Sequence, residues 1–126
     1  MIYLLDTTVL IDHASGRSSA VALLFRLFES AAELCTCDVI VCESLSAGTP
    51  QQRREIGKLL GSLEYVSTHP EAARWAGESR RSRGATSRRT LGDALIAGVA
   101  WFNDATIVTR NPDDFIAQGI PVLTYD

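Results

Sequence analysis

The sequence predicts an α/β fold, a three-layer α/β/α sandwich in which helices cover both faces of a mostly parallel central sheet. Short apolar runs alternate along the chain with segments whose apolar residues recur at helical spacing. This alternation is typical of strand-helix-strand units, which build parallel sheets covered on both faces. No repeat, low-complexity tract or linker interrupts the 126 residues, a length typical of one compact domain. We therefore expect a single domain over residues 1–126.

The first half of the chain is predicted from strand-like apolar runs and from polar residues suited to helix ends. The run from Ile2 to Leu5 ends at an acid, as expected where a central parallel strand meets a loop. Serine and aspartate cap helices well, whereas glycine ends them. The predicted elements are a strand over 2–5, a helix from Ser18 or Ser19 through Phe28, a strand over 34–36, and a helix over 39–47 that Asp38 caps and Gly48 ends.

The second half continues the same alternation. The segment over 91–102 is apolar almost all round, which predicts a buried helix. Its Trp101 and Phe102, like Trp75, stand at helical spacing within apolar runs and are predicted to pack in the core. Proline suits the first turn of a helix because its missing N–H would be unpaired there anyway. The predicted elements are helices over 51–63, from Pro70 through Arg81, over 91–102 capped by Thr90, and through Ala117 capped by Asn111, with strands over 65–67, 106–108 and 121–123.

Composition limits the possible classes of protein. With 46% hydrophobic residues the chain can bury a core, which excludes disordered and fibrous proteins. Its apolar runs are shorter than the roughly 20 residues of a membrane span, and no basic lead-in marks a signal peptide. We therefore expect a cytoplasmic protein with no membrane partner. Three crowded cysteines, Cys35, Cys37 and Cys42, match neither a zinc site nor a disulfide framework and are predicted to be reduced packing residues.

Charge is unevenly distributed along the chain. The net charge of −3 argues against bulk electrostatic binding to nucleic acid. Five arginines and no acid nevertheless lie between Ser79 and Gly92. This segment is either a local basic surface or a solvated helix end and loop.

Several acids are predicted at one edge of the sheet. Asp6 follows the first strand, Asp93 lies in the first turn of the apolar helix, and Asp113 and Asp114 follow a later strand. Because α/β proteins bind ligands beyond the carboxyl ends of parallel strands, a site is expected at this edge. Each of these acids could instead serve as a helix cap or as the acid of a capping box.

Glu43 is an acid that helix capping does not explain. Its neighbours Val41, Cys42 and Leu45 predict a helix buried on most sides, where an unpaired glutamate is costly. If Glu43 joins the aspartates, the like charges raise one another's pKa unless a cation is present. Oxygen ligands without cysteine or histidine favour Mg²⁺ or Mn²⁺ over zinc.

Four segments of the chain carry a family pattern. They are L-L-D-T-T-V-L-I-D over 4–12, E-S-L-S-A-G over 43–48, G-D-A-L-I-A over 92–97 and T-R-N-P-D-D-F over 109–115. In this order and at these spacings they resemble the four motifs of PIN-domain ribonucleases, and most closely those of the VapC toxins of toxin–antitoxin pairs. The resemblance covers nearly the whole chain. It implies a PIN-like fold and a metal site formed by Asp6, Glu43, Asp93 and Asp114.

The same resemblance implies supporting residues around that site. Thr8 and Thr109 would orient ligands or water. Asp113 falls one place early and is a less close stand-in for the fourth acid, and Asn111 stands where relatives often have Asp. Many relatives have an apolar-proline turn before the third acid, whereas this chain has R-R-T-L-G over 88–92, so substrate contacts there are not carried over.

The activity implied is hydrolysis of RNA by water, which would leave a 5′-phosphate and a 3′-hydroxyl. Mg²⁺ would be the cofactor and Mn²⁺ could replace it. Arg110, Arg88 and Arg89 are candidates for RNA-binding contacts with phosphate. A VapC-like toxin would inhibit translation by cleaving tRNA, rRNA or mRNA, would form a homodimer, and would be covered by a cognate VapB-like antitoxin.

Several alternatives remain. Within the same fold, the chain could be a housekeeping RNA-processing nuclease or a non-catalytic domain that binds RNA or protein, although the presence of all four acids argues against a degenerate site. A receiver domain needs a lysine late in the chain, and Lys58 is the only lysine. An aspartate-nucleophile phosphatase needs a second Asp where Thr8 stands, and no G-x-G-x-x-G follows the first strand to bind a dinucleotide.

Overall fold

The computed structural model describes all residues from Met1 to Asp126, and five strands form one sheet. In chain order these are β1 (Ile2–Leu5), β2 (Glu33–Cys37), β3 (Glu64–Val66), β4 (Thr106–Thr109) and β5 (Val122–Thr124). Their order across the sheet is β3-β2-β1-β4-β5, and every neighbouring pair is parallel. The predicted fold class is confirmed, with a sheet that is wholly parallel.

Seven helices connect the strands and form the outer two layers of the sandwich. They are α1 (Thr7–Ala14), α2 (Ser18–Glu29), α3 (Asp38–Leu45), α4 (Pro50–Leu60), α5 (Pro70–Ser82), α6 (Leu91–Asn103) and α7 (Asp113–Ala117), with a 3₁₀ turn over Arg88–Thr90 before α6. Helix α1 packs on α2, α3 and α4, whereas α5 packs mainly on α6. None of the helices is long and apolar enough to span a membrane.

The chain changes direction across the sheet at β1. From β1 it proceeds outward through β2 and β3, and it then returns to place β4 and β5 on the other side of β1. The register aligns Leu5 with Val108, and the N–H of Asp6 donates to the carbonyl oxygen of Val108 at 3.0 Å. Such a switch point leaves a crevice at the carboxyl ends of the strands. The residues that follow β1 and β4 border this crevice.

The core lies between the central strands and the helices that cover them. Leu4 and Leu5 of β1 and Ile107 and Val108 of β4 are fully buried, as the apolar runs predicted. Burying one such side chain stabilises the fold by about 1.5–3 kcal/mol, and this burial holds the ends of β1 and β4 side by side. The core thereby places the two chain segments that carry Asp6 and Thr109 next to each other.

Most of the predicted helices are present, but several predicted caps are wrong. Helices α2 and α3 begin at Ser18 and Asp38 themselves, and neither helix has a side-chain cap. Asp38 instead accepts a hydrogen bond from the hydroxyl of Thr68 at 2.6 Å, a contact across 30 residues that local sequence does not reveal. Helix α1 had no predicted range. Pro70 lies in the first turn of α5, as predicted.

The aromatic residues of α6 depart from the prediction of a buried helix. Trp101 is 47% exposed and Phe102 is 44% exposed. Trp101 stacks on Trp75 with ring centroids 5.6 Å apart, and Phe102 stacks on His69 at 4.3 Å. Two pairs of stacked rings therefore lie at the surface beside the last turn of α6. The prediction of burial was wrong because an all-apolar pattern does not show which part of a helix is covered by other elements.

The three cysteines are all free thiols, as predicted. Cys35 and Cys37 of β2 are buried packing residues, but Cys42 on α3 is exposed, so the prediction of a packing role for Cys42 is wrong. The cause is that α3 turns only Ile40 and Ser44 fully inward.

Candidate active site

Four acids that lie far apart in the sequence meet at the switch point. Asp6 directly follows β1, and Asp93 lies in the first turn of α6. Glu43 lies on α3, which follows β2, and Asp114 lies in the first turn of α7, which follows β4. The charges of Asp6, Asp114 and Glu43 all act on the carboxyl group of Asp93. We refer to these four residues as the acidic cluster.

Asp6 is the most deeply buried member of the cluster, with 5% of its surface exposed. Its Oδ2 accepts hydrogen bonds from the hydroxyls of Thr109 at 2.8 Å and Thr8 at 3.2 Å, and Oδ1 receives no side-chain hydrogen bond. Burial raises the pKa of Asp6, and the hydrogen bond from Thr109 opposes only part of that rise. The side chain forms no capping bond with α1, so the helix-cap alternative is wrong for Asp6.

The loop after β4 orients the two threonines that bind Asp6. The N–H of Asn111 donates to Oγ1 of Thr109 at 3.0 Å, and the N–H of Arg110 donates to Oγ1 of Thr8 at 3.3 Å. Each hydroxyl oxygen therefore has an N–H donor and is free to give its own proton to Asp6. The structure thus brings Thr8, Thr109 and Asn111 together around Asp6, the last of them through its backbone.

Asp93 has the most perturbed carboxyl group of the cluster. Burial raises its pKa to about 7, aided by the charges of Asp6, Asp114 and Glu43 and by a hydrogen bond with Asp114. A helix N-terminus normally favours a charged carboxylate, so burial and crowding outweigh the dipole of α6. The capping-box alternative is wrong for Asp93, because the hydroxyl of Thr90 donates to the carbonyl oxygens of Ala85 and Ser87.

Glu43 enters the cluster from an exposed helix. The prediction that α3 is buried on most sides is wrong, since the helix is short and Glu43 itself is exposed. Its Oε1 accepts a hydrogen bond from the hydroxyl of Thr7 at 2.8 Å, which ties the side chain to the start of α1. Glu43 is therefore not a buried glutamate that needs a partner to offset its desolvation. Its position beside the aspartates is what links it to the acidic cluster.

Two neighbouring acids on α7, Asp113 and Asp114, are the candidates for the fourth member of the acidic cluster. Both Asp113 and Asp114 are exposed, but it is the carboxyl of Asp114 that contacts Asp93. Neither acid completes a capping box, because α7 begins after Pro112 and has no side-chain cap. The structure therefore brings Asp114 into the acidic cluster and leaves Asp113 facing solvent.

The acidic cluster has no cationic partner within the chain. No lysine, arginine or histidine forms an ion pair with any of its four members. Its donor atoms are all carboxylate and hydroxyl oxygens, the ligand set that suits Mg²⁺ or Mn²⁺. No three of the acids already converge closely enough to hold one ion together. Mg²⁺ commonly uses one or two carboxylates and keeps several waters, so the donor set fits such an ion.

The predicted phosphate-binding arginines have different surroundings. Arg88 and Arg89 are exposed in the turn before α6 and form no ion pair. The guanidinium of Arg110 instead binds the carboxylate of Asp12, with Nε to Oδ2 at 2.7 Å. Arg80 donates to the carbonyl oxygens of Ala85 and Ser87 and so shapes the turn that carries Arg88 and Arg89.

Two contacts near the site were missed by sequence reasoning. Thr7 was not distinguished from the other polar residues of the first motif, although its position next to Asp6 was a usable signal. The second contact joins Asp12, Arg110 and Tyr125, whose hydroxyl donates to Oδ2 of Asp12 at 2.7 Å. No local pattern pairs residues 113 positions apart, so only the tertiary structure shows this network.

The fold and the acidic cluster place this chain in a class of parallel α/β proteins with a carboxylate site at the strand switch point. A family model described as "PIN domain" matches residues 3–126. The chain therefore belongs to the PIN-domain family, in agreement with the resemblance of its four motifs.

Individual proteins and solved structures show which members of the family this chain is similar to. The chain is 28% identical to Ribonuclease VapC19 of Mycobacterium tuberculosis over 115 residues, which is 89% of this chain and 90% of that protein. A chain of VapBC2 from Rickettsia felis, crystallised bound to a DNA fragment from their promoter, superimposes with a TM-score of 0.82 at 21% identity over the full length of both chains. A chain of a toxin–antitoxin complex from Klebsiella pneumoniae gives 0.76 at 26% identity, covering 97% of this chain and 96% of that one. The predicted likeness to VapC proteins is confirmed.

Proposed function

We propose that this chain, as one nuclease domain over residues 1–126, is a metal-dependent endoribonuclease and the toxin of a VapBC-type pair. Mg²⁺ is the proposed cofactor, and Mn²⁺ can substitute for it. The proposal rests on the relation to a VapC ribonuclease and on the acidic cluster. As a toxin it would inhibit translation by cutting tRNA, rRNA or mRNA.

The single observation that carries the proposal is a crowded carboxylate site without a countercharge. Asp6 and Asp93 both have a raised pKa, and no basic residue of the chain neutralises them. Keeping acids crowded and partly desolvated costs stability in the metal-free protein, which a fold has no structural reason to retain. A bound divalent cation removes that cost.

The residues have distinct proposed tasks. Asp6 and Asp93 are the main direct ligands, and Glu43 and Asp114 complete the site, in part through water. When bound, the cation would supply positive charge that attracts the phosphodiester and would lower the pKa of water, so that a deprotonated water is available as the nucleophile. Thr8 and Thr109 hold Oδ2 of Asp6 through their hydroxyls and thereby fix the orientation of this carboxylate. Glu43 and Asp114, which act in part through water, are the proposed groups that assist removal of the proton from the attacking water.

RNA and protein partners follow from the same proposal. Arg88 and Arg89 are the proposed phosphate contacts, and their exposure as unpaired cations next to α6 supports this role. Arg110 retains a predicted phosphate contact, although its Asp12 partner competes for the same donors. The proposed protein partners are a VapB-like antitoxin, by analogy with the VapBC complexes of similar fold, and a second copy of this chain.

The test is cleavage of tRNA and ribosomal RNA fragments by purified, antitoxin-free protein with Mg²⁺, with Mn²⁺ and with chelator. Asp93→Asn removes one charge from the acidic cluster without changing side-chain size. Asp104→Asn is the matched control, because Asp104 is an exposed residue at the end of α6 with φ 53°, a conformation that asparagine tolerates well. We expect discrete cuts with 5′-phosphate ends that vanish with chelator and with Asp93→Asn but persist in Asp104→Asn.

The contrary result is equally specific. A folded protein that binds Mn²⁺ but cuts none of these RNAs would move the proposal to a binding role. An antitoxin gene adjacent to the gene of this chain would support the toxin, and its absence would support a processing nuclease instead.

A further inference from the structure

Gly92, the second residue of α6, lies against the side chain of Glu43. A Cβ atom added to Gly92 would stand 2.3 Å from Oε2 and 3.2 Å from Cδ of Glu43. Carbon and oxygen atoms that are not bonded do not approach to 2.3 Å, so any residue other than glycine would displace the Glu43 carboxylate. The backbone gives no other reason for glycine, because Gly92 does not have a positive φ.

Thr7 defines the opposite side of the same carboxylate. Its hydroxyl donates to Oε1 of Glu43 at 2.8 Å, while the space over Gly92 receives Oε2. Thr7 directly follows Asp6, and Gly92 directly precedes Asp93. Both oxygens of an exposed, flexible side chain are therefore located by residues adjacent to the two main acids.

We propose that Thr7 and Gly92 are positioning residues that hold the Glu43 carboxylate within the acidic cluster. This inference rests on the proposed function in one respect, because it takes the acidic cluster to be a metal site. Without the hydrogen bond from Thr7 and the gap at Gly92, Glu43 is an exposed side chain on an eight-residue helix and is free to point into solvent. A mispositioned carboxylate at a metal site weakens metal binding and activity by roughly 10- to 100-fold.

Gly92 differs from the other tightly packed glycine of α6. A Cβ at Gly98 would stand 2.4 Å from the carbonyl oxygen of Ala72, which is backbone of α5 and has little freedom to move. The atom facing Gly92 is the end of a flexible side chain, which can rotate away. Alanine at Gly98 therefore disturbs the packing of two helices, whereas alanine at Gly92 displaces a carboxylate and leaves the fold intact.

The experiment measures Mn²⁺ affinity by calorimetry together with thermal unfolding for Gly92→Ala. We expect Mn²⁺ affinity to fall at least about 10-fold, with Tm unchanged or higher because alanine favours helix more than glycine does. Gly77→Ala is the matched control, since it is also a helical glycine but a Cβ there has nothing within 4 Å. It should raise or preserve Tm and leave Mn²⁺ affinity unchanged.

Substitutions at two further positions, Glu43 and Thr7, test the geometry itself. Glu43→Asp withdraws the carboxylate by one methylene, so it should weaken Mn²⁺ binding in the wild-type background but restore part of the loss in the Gly92→Ala background. Thr7→Ser keeps the hydroxyl and should retain affinity, whereas Thr7→Ala should lose it. Crystal structures of metal-free wild-type protein and Gly92→Ala provide a readout that needs no metal, the distance between Thr7 Oγ1 and Glu43 Oε1.

The failures of the two proposals are distinguishable. If wild-type protein binds Mn²⁺ and cuts RNA but Gly92→Ala does the same with a Glu43 carboxylate in its original place, the positioning role is wrong and the nuclease stands. If wild-type protein neither binds Mn²⁺ nor cuts RNA, the proposed function is wrong, and the positioning of Glu43 is then decided by the two crystal structures. A Gly92→Ala protein as unstable as Gly98→Ala would also overturn the inference.

Discussion

Asp6 and Asp12 lie six positions apart in one short stretch of chain, are 5% and 7% exposed, and have opposite environments. Burial raises the pKa of Asp12, but hydrogen bonds from Arg110 and Tyr125 and the charge of Arg110 outweigh it, and the pKa is lowered. Asp6 has hydroxyl and backbone N–H donors but no charged partner, and burial raises its pKa. Burial alone therefore does not distinguish these two acids. The missing countercharge does, and it is the reason why Asp6 and not Asp12 is proposed as a metal ligand.

The same contrast separates two polar regions of the molecule. The Asp12 network joins α1, the loop after β4 and the end of the chain through Tyr125, and it is electrically balanced. The acidic cluster joins β1, α3, α6 and α7 and contains only acids. A balanced network stabilises the fold, whereas an unbalanced one holds a site ready for a positive ligand.

The largest expected effect is the loss of activity in Asp93→Asn. Because Asp93 is proposed as a direct ligand, its loss should lower RNA cleavage by more than the roughly 10- to 100-fold typical of outer supporting residues. Single-turnover cleavage at saturating Mg²⁺ measures this. Asp12→Asn, at the charge-balanced acid, should retain cleavage well above that level. Equal losses in the two variants would contradict the distinction between a paired and an unpaired acid.

The second expected effect is a pH dependence of opposite sign in the two regions. Asp93 has a pKa of about 7 in the folded protein and about 3.8 in the unfolded chain, so between these pH values the folded state retains a proton that the unfolded state has released. The free energy of unfolding of metal-free protein should fall as pH rises from about 4 to 7. Asp12 acts the other way, because its stabilisation is lost as pH falls below about 4.

Chemical denaturation across this pH range checks both signs. Asp93→Asn should flatten the decline toward pH 7, and Asp12→Asn should flatten the loss in acid. Mg²⁺ should remove the decline in wild-type protein by neutralising the cluster. A wild-type profile that instead rises steadily through pH 7 would contradict the raised pKa of Asp93.

The third effect is the stability cost of breaking the balanced network. Asp12→Asn removes the charge that Arg110 and Tyr125 bind, and we expect the free energy of unfolding at pH 7 to fall by about 2 kcal/mol. Urea denaturation measures the change. Asp104→Asn, at an exposed position, is the control and should change stability by less than about 0.5 kcal/mol.

The fourth effect concerns the hydroxyl that supports Asp6. Thr109 is fully buried, and Thr109→Val keeps its shape while removing the hydrogen bond to Oδ2. Losing a hydrogen bond to a carboxylate should cost about 1 kcal/mol of stability and should weaken Mn²⁺ binding by roughly 10-fold. Thr106→Val on the same strand, where the hydroxyl makes no hydrogen bond, should leave Mn²⁺ binding unchanged.

The smallest effect is expected at the exposed arginines. Arg88 and Arg89 touch neither the acidic cluster nor the Asp12 network, so their replacement by alanine should alter neither metal binding nor folding. The slope of log RNA affinity against log salt concentration should become shallower by about 1 to 2. Filter binding with a cleavage-inactive Asp93→Asn background measures the slope. Arg74→Ala, which removes an arginine already paired with Glu71, should change it less.

Much of the site was predictable because its members follow strand ends. Apolar runs marked β1 and β4, and the parallel arrangement brought Asp6 and the loop after Thr109 to the same edge. Asp93 and the pair Asp113 and Asp114 were predictable for a related reason, since they lie in the first turns of helices at that edge. The resemblance to the family motif then selected Asp114 from the pair. Glu43 was identified correctly as a member of the acidic group, but for a wrong physical reason, since the helix around it is exposed.

The features that were not predictable depend on contacts between distant residues. Arg110 was interpreted as a phosphate contact because nothing near it in sequence shows that Asp12 binds its guanidinium. The caps assigned to Ser18, Asp38 and Thr90 were wrong. Neither Ser18 nor Thr90 forms a capping hydrogen bond, and Asp38 lies inside α3, where it accepts from the N–H of Val39 and the hydroxyl of Thr68. Trp101 and Phe102 look like core residues in any local window, yet they lie in the last turn of α6 and are exposed.

The sequence alone was enough to predict the alternation of strands and helices, because hydrophobic periodicity is a local property, and it pointed to the four acids through motifs that resemble those of a known family. The folded structure was needed to show which acids have a countercharge and where the Glu43 carboxylate is held. Those outcomes depend on atoms of residues up to 113 positions apart that approach within hydrogen-bonding distance, as Tyr125 and Asp12 do. Charge balance and close packing are properties of the folded chain. Both of them distinguish the Asp12 network from the acidic cluster.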